Sequence, residues 1–295
     1  MWSAINPLLL SHILLQFYKL SSDIEVYLSN PPIDLNRKTT VPLLNKAGEK
    51  INLTDYTWRE LDSLPGKAEL RFLLPLGATE EHGYHLPLGT DTFQAVRLAE
   101  LAARRVPGTI VLPAMSYGHC LDTMNYCGTL TASAKTICSL VRDIVQNLHR
   151  HGFRKLVIVN GHGGNKGVAE IAMREALLSL SPPGQTFSMD FSVYLFSPYE
   201  KIGPQLKGML KGKDFGHACE METSVMLALA PEMVRLELAG EEYMDGGPDT
   251  LWRIRDMRTA SVSGVHGAPN KASRAKGEKI FEMLAAGLAD FLGQI

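Results

Sequence analysis

The sequence predicts a layered α/β domain built on a mostly parallel sheet. From about residue 70 onward, short apolar runs of β type alternate with longer segments of helical periodicity, which is the pattern of successive βα units. The first three apolar runs are nearly continuous instead of alternating with polar residues, as in strands covered on both faces. A chain of 295 residues, 45% hydrophobic and 21% charged, is also long enough to bury the core such a domain needs, and its composition excludes disordered, collagen-like and coiled-coil readings.

Taken in order, the predicted strands are 70–74, 109–112, 155–159 and 187–191. The predicted helices are 92–106, 134–151, 166–180, 218–230 and 271–291. Each helix carries apolar residues at three-to-four spacing, and Pro182-Pro183-Gly184 and Pro231 mark two of the ends. No internal repeat or Gly/Ser linker divides this stretch, so residues 60–295 are expected to form one domain and residues 1–59 an N-terminal extension, a helix plus an irregular segment. The leucine-rich run at 7–17 is interrupted by Ser11, His12 and Gln16 and falls short of the ~20 residues a bilayer requires. It has no basic residue before it and no small-residue cleavage site after it, so it is expected to be a helix packed on the body or on a neighbouring subunit, neither signal nor span.

Charge narrows the partners. Thirty Lys and Arg against 31 Asp and Glu give a formal net charge of −1, which offers neither nucleic acid nor an anionic membrane an electrostatic foothold. A small-molecule partner is expected. Cys120, Cys127, Cys138 and Cys219 show no CxxC spacing, which fits reduced, mostly buried thiols in a cytoplasmic protein.

Open α/β sheets place ligand sites beyond the carboxyl ends of their strands, where loops converge. Two polar clusters are expected there. After the first strand come Glu80, His82, His85 and Asp91. Glu80 and His82 stand two apart, so in an extended segment their side chains leave the same side of the backbone and can meet one ion. Asp91 directly precedes a helix, where a carboxylate serves either as a ligand or as an N-cap. The second cluster is Asn160-Gly161-His162-Gly163-Gly164-Asn165, which lacks the lysine and the spacing of phosphate-binding loops. Its His162 is either a hydrogen-bonded structural residue or a ligand facing the Glu-x-His loop.

A third cluster, residues 216–224, opens the helix predicted at 218–230. Glu222 shares a stripe with Val225, Met226 and Leu229, the face the helix should bury, whereas Glu220 looks toward Thr223 and Ser224. A buried carboxylate needs a cation, a proton or a metal; an ion pair with an arginine is the alternative to the metal.

These residues resemble the creatininase (creatinine amidohydrolase) family. The likeness rests on Glu80-x-His82-Gly-x-His85-Leu-Pro-x-Gly-Thr-Asp91, then Asn160-Gly-His162-Gly-Gly-Asn165, then Gly216-His217-Ala-x-x-x-Glu222-Thr-Ser224. Tyr117-Gly118, Gly128-Thr129-Leu130 and Gly264-x-x-Gly267-x-Pro269 extend it. The resemblance implies a three-layer αβα domain, two divalent metal ions of zinc, manganese or iron, hydrolysis of a non-peptide C–N bond, and a homo-oligomer, hexameric or built from dimers. It implies Glu80, His82 and His162 as metal ligands, Asp91 as the bridge between the ions, His217 as the catalytic histidine, and Glu222 as a further acidic contact to the metals and a second catalytic residue. His85 is expected to orient a ligand or the substrate without binding metal.

One departure matters. Relatives that hydrolyse creatinine carry a glutamate two residues after the histidine of the second motif, and this chain has Gly164. The site is then one ligand short unless Glu222 supplies it, and the substrate is expected to be a cyclic amide or formamide other than creatinine. Two further readings stand beside this one: a metallopeptidase that trims a peptide in cofactor maturation, and a non-catalytic binding protein. The full set of costly polar groups argues against the last.

Overall fold

Four parallel strands form the centre of the protein, in the order β2-β1-β3-β4. The computed structural model describes residue 45 and residues 48–181, 184, 190–206, 208–212, 216–244 and 256–295. All of them fall within Thr40–Ile295, which holds together as one unit. The apolar run at 7–17 lies outside the described residues.

After a short α1 (Trp58–Asp62), the chain enters β1 (Arg71–Leu76), α2 (Thr90–Arg105), β2 (Thr109–Val111), α3 (Ala134–Arg150), β3 (Lys155–Asn160), α4 (Lys166–Ser179), β4 (Ser192–Phe196), α5 (Pro198–Leu206), α6 (Glu220–Leu229) and α7 (Arg274–Leu292). Every residue of β1 from Phe72 to Leu76 is buried, as the continuous apolar run requires of a strand covered on both faces. Phe72, Leu74 and Leu76 pack with Leu156 and Ile158 of β3 against Ile137, Val141 and Val145 of α3 and Ala169, Ala172 and Ala176 of α4. Helix α2 packs against β1 and also meets α7, which in turn packs against α6 and α5. Helices therefore cover both faces of the sheet.

Two parts of the N-terminal segment belong to this body. Ile51 is fully buried and its carbonyl accepts the amide of Val111 at 2.7 Å, and Asn52 bridges to Val111 in parallel. The helix α1 is closed by a capping box between Thr57 and Glu60.

The expected strand at 187–191 is corrected. Residues 187–189 lie outside the described set, Asp190 and Phe191 are not strand, and β4 runs from Ser192, which pairs with Lys155. Phe187, Met189 and Phe191 alternate as a strand would, but so do Val193, Leu195 and their neighbours, and only pairing with β3 selects the second set. Helix α5 was not expected; Pro198 at its first position gives up no intrahelical bond, so proline here opens a helix.

Register decides where the site forms. Leu76 stands opposite Asn160, so β1 and β3 end side by side and their loops leave the same edge. The amide of Gly161 donates to the carbonyl of Leu76 at 2.9 Å, and the Asn165 side chain donates to that of Gly77 at 3.0 Å, tying the two loops together.

Candidate metal centre

The β1 loop brings Glu80 and His82 to this edge, the first turn of α2 brings Asp91, the β3 loop brings His162, and the first turn of α6 brings Glu222. Glu80, His82, Asp91 and Glu222 are buried and His162 is nearly so.

Asp91 is not an N-cap. Helix α2 begins one residue earlier, at Thr90 with Gly89 as cap, so Asp91 sits inside the first turn and makes no capping bond. One of its oxygens, Oδ1, lies 3.0 Å from His82 Nε2, and the other, Oδ2, lies 3.2 Å from His162 Nδ1. Glu80 divides its oxygens likewise. Oε1 accepts the Thr123 hydroxyl at 2.5 Å and Oε2 lies 3.0 Å from His162 Nδ1.

Both histidines are anchored through the nitrogen that faces away from the carboxylates. His82 Nδ1 lies 3.1 Å from the carbonyl of Glu80, and His162 Nε2 lies 3.2 Å from that of His119. A carbonyl can only accept, so those nitrogens carry hydrogen. In the neutral ring the other nitrogen then aims a lone pair at carboxylate oxygens, an arrangement that requires a positive charge between them. Either a proton or a metal ion supplies it.

The charges respond accordingly. Burial disfavours the His82 imidazolium, but Asp91, Glu222 and Glu80 outweigh it and push its pKa up to about 10. His162 is likewise disfavoured by burial and held well above its ordinary value, chiefly by Glu80 and Asp91. Against burial, the histidines keep Asp91 and Glu80 below the usual carboxylate range. Glu222 goes the other way. Burial raises it, and among its described partners only the Cys219 amide donates to its carboxylate, at 3.2 Å.

A metal fits this set. Glu80 Oε2 and Asp91 Oδ2 are both buried and both face His162 Nδ1, which carries at most one hydrogen, so lone pairs converge where hydrogens are lacking. Donor atoms close enough for one ion occur in three groups among the described residues: His82 with Asp91 and Glu222, Glu80 with His82 and His217, and Glu80 with Cys120 and His162. Imidazole with carboxylate suits zinc, manganese or iron better than calcium.

His217 lies at the rim of the cluster, its ring 4.5 Å from that of His82 between centroids. Its Nε2 contacts the Glu81 carbonyl at 2.7 Å and the Glu81 carboxylate at 2.9 Å. Burial and His82 lower its affinity for a proton, Glu81 and Glu80 raise it, and the balance is upward. His85 is buried with Nε2 on the Thr223 hydroxyl at 2.8 Å; it belongs to none of the donor groups, and burial lowers its pKa to about 4.

Sequence reasoning missed Glu81, Thr123 and Cys120. Glu81 was visible as the second half of a Glu-Glu pair flanking a motif position. Thr123 and Cys120 stand in the irregular loop between β2 and α3, where no periodicity marks them. The two carboxylates of α6 also need correcting. Glu220 is as buried as Glu222, and it is Glu220 that pairs with a cation, Lys276, while its Oε2 accepts the amides of Lys211 and Gly212 at 2.8 and 2.7 Å.

The family model of creatinine amidohydrolases matches residues 54–292. The creatinine amidohydrolase of Pseudomonas putida is 31% identical over 253 residues, 80% of this chain and 94% of that protein. The mycofactocin precursor peptide peptidase of Mycobacterium ulcerans (strain Agy99) is 31% identical over 219 residues, 71% of this chain and 79% of its own length. Among solved structures, a mutant creatininase of Zn-Zn type aligns with a TM-score of 0.74 and 28% identity over 83% of this chain and 98% of its own. The manganese form of creatininase aligns at 0.75 and 28%, with the same coverage. The chain belongs to the creatininase family. Its parallel sheet between helices is the fold of that family of metal-dependent amidohydrolases, and its buried acid and imidazole groups could hold a metal.

Proposed function

We propose that the protein is a dinuclear metal-dependent amidohydrolase that cleaves the C–N bond of a small cyclic amide or formamide. The observation that carries this reading is Asp91, whose two oxygens face two histidines from different loops, each anchored through its far nitrogen on a main-chain carbonyl. In this assignment Glu80 and His162 would hold one ion and His82, Asp91 and Glu222 the other, with Asp91 Oδ2, 3.2 Å from His162 Nδ1, placed to serve the first as well. Glu222 thereby supplies the carboxylate that Gly164 does not.

Two divalent ions supply Lewis acidity and a water acidic enough to act as nucleophile near neutral pH. The chain's own groups do the rest. Thr123 fixes Glu80 by taking one oxygen, and the carbonyls of Glu80 and His119 fix the rings of His82 and His162. His217, held through Nε2 on Glu81, has Nδ1 to carry the mobile proton to the departing nitrogen. His85 and Thr223 buttress the β1 loop against α6.

Gly164 argues for a substrate other than creatinine. A Cβ built there would stand 2.5 Å from the carbonyl of His119 and 2.5 Å from His162 Nε2, so the neighbouring loop fills the space that a glutamate's stem would need. The relatives that cleave a peptide keep a second reading open, peptide trimming in cofactor maturation. We also assign the protein to the cytoplasm as a homo-oligomer, hexameric or dimer-based. Its cysteines are free, and no described helix is long and apolar enough to cross a membrane. The deciding experiment is a turnover screen of the metal-loaded protein on cyclic amides, formamides and short peptides. Turnover of a cyclic amide or formamide supports the reading, turnover of peptides alone replaces it with the second, and the absence of metal uptake removes both.

A further inference from the structure

We propose that Cys120 is a thiol donor to the ion held by Glu80 and His162, and that it makes this position select thiophilic metals, zinc or cobalt, over manganese. This rests on the metal reading above and extends it. Cys120 Sγ, one Glu80 oxygen and one His162 ring nitrogen all lie within 4.8 Å of one another, and Cys120 is buried with 2% of its surface exposed.

One feature points to an ion at this spot, and a second fixes the thiol beside it. The first is Glu80 Oε2, buried and facing His162 Nδ1, a nitrogen that Asp91 Oδ2 also faces, while the Thr123 hydroxyl occupies Oε1. The second is the rigidity of the loop that carries the thiol. The Cys120 amide donates to the Thr131 hydroxyl at 2.9 Å, the His119 amide to the Asn165 side chain at 2.8 Å, and His119 Nδ1 to the Ala132 carbonyl at 3.0 Å. Asn165 is itself tied to the β1 loop, so the thiol and the ligands are referred to the same frame. Such preorganisation is what a metal position requires of its donors.

Ligation would break the Cys120 S–H bond, send the proton to solvent and form an Sγ–metal bond, with no change of oxidation state. A soft sulfur donor beside imidazole and carboxylate favours zinc and cobalt, whereas manganese prefers oxygen.

Cobalt reports this directly, because a thiolate ligand adds an intense sulfur-to-cobalt charge-transfer band in the near ultraviolet that nitrogen and oxygen donors do not give. The test uses full-length protein with exposed Cys127 changed to Ser, loaded with Co²⁺, alone and with Cys120→Ser or Cys219→Ser added. The proposal expects the band in the parent and in Cys219→Ser, its loss in Cys120→Ser with cobalt still bound, and a reduced preference for zinc over manganese in that variant by competition. Cobalt bound with visible ligand-field bands but no sulfur band in the parent overturns the proposal and leaves the metal reading intact. A parent that binds no cobalt or zinc overturns both.

Discussion

Lys276 on α7 closes on Glu220 in the first turn of α6, and by doing so separates two buried carboxylates that are two residues apart. Glu220 has a lysine on one oxygen and two amides on the other, whereas Glu222 receives a single amide. One is spent on structure and the other is left for the site. Replacing Lys276 with Met should therefore leave Glu220 buried beside its amides alone and destabilise the protein by on the order of 3 kcal/mol. Thermal unfolding measures that loss, and metal content per folded chain should stay at the wild-type value.

Purified protein should bind two transition-metal ions per chain, and stripping them with a chelator should lower the melting temperature. Bound ions stabilise by mass action, by about 2.7 kcal/mol when the free metal is 100-fold above its dissociation constant. Elemental analysis and calorimetry check both parts. A stoichiometry of one would confine binding to a single position and remove the bridging role of Asp91.

Asp91→Ala should abolish turnover and release more metal than His85→Ala. A shared carboxylate serves both ions, while His85 is bonded to Thr223 and belongs to none of the donor groups. The comparison is metal retained after gel filtration in each variant, and equal losses would reject the ranking.

Creatinine should be a poor substrate, and Gly164→Glu should not make it a good one. The added stem meets a main-chain carbonyl, which cannot move aside as a flexible side chain would. Steady-state assays on the two metal-loaded proteins give the answer; kcat/KM for creatinine of ~10⁴ M⁻¹s⁻¹ or more in the wild type would show the site accepts it as an ordinary enzyme does.

Gly277→Ala should destabilise the seam between α6 and α7. A Cβ at this position would lie 1.8 Å from the Ser224 carbonyl and 3.0 Å from the Ala228 side chain, so the helices must part to admit it. Overpacking of this kind costs roughly 1–3 kcal/mol, more than the helix propensity gained from alanine. Denaturant unfolding measures the difference.

Much of this protein was legible in its sequence because the governing rules are local. A short, β-branched apolar run such as 156–159, followed by a glycine-rich turn, reads as a covered strand, and Glu80, His82, His162 and Glu222 could be picked out since polar groups at strand ends and on an apolar helix face are costly without a task. What the sequence could not decide depends on distance between segments that are remote in the chain. Strand β4 shifted to Ser192 because pairing with β3, not alternation, chooses among equivalent runs. Asp91 became an inward-facing group and not a cap once α2 began at Thr90, and Glu220 was buried once Lys276 came within reach from 56 residues away. Cys120 and Thr123 acquired a place beside Glu80 only when an irregular loop was folded over the sheet edge. Periodicity reports which face of an element is buried; which side chains then meet, and so which carboxylate is satisfied and which is left for a metal, is set by packing in three dimensions.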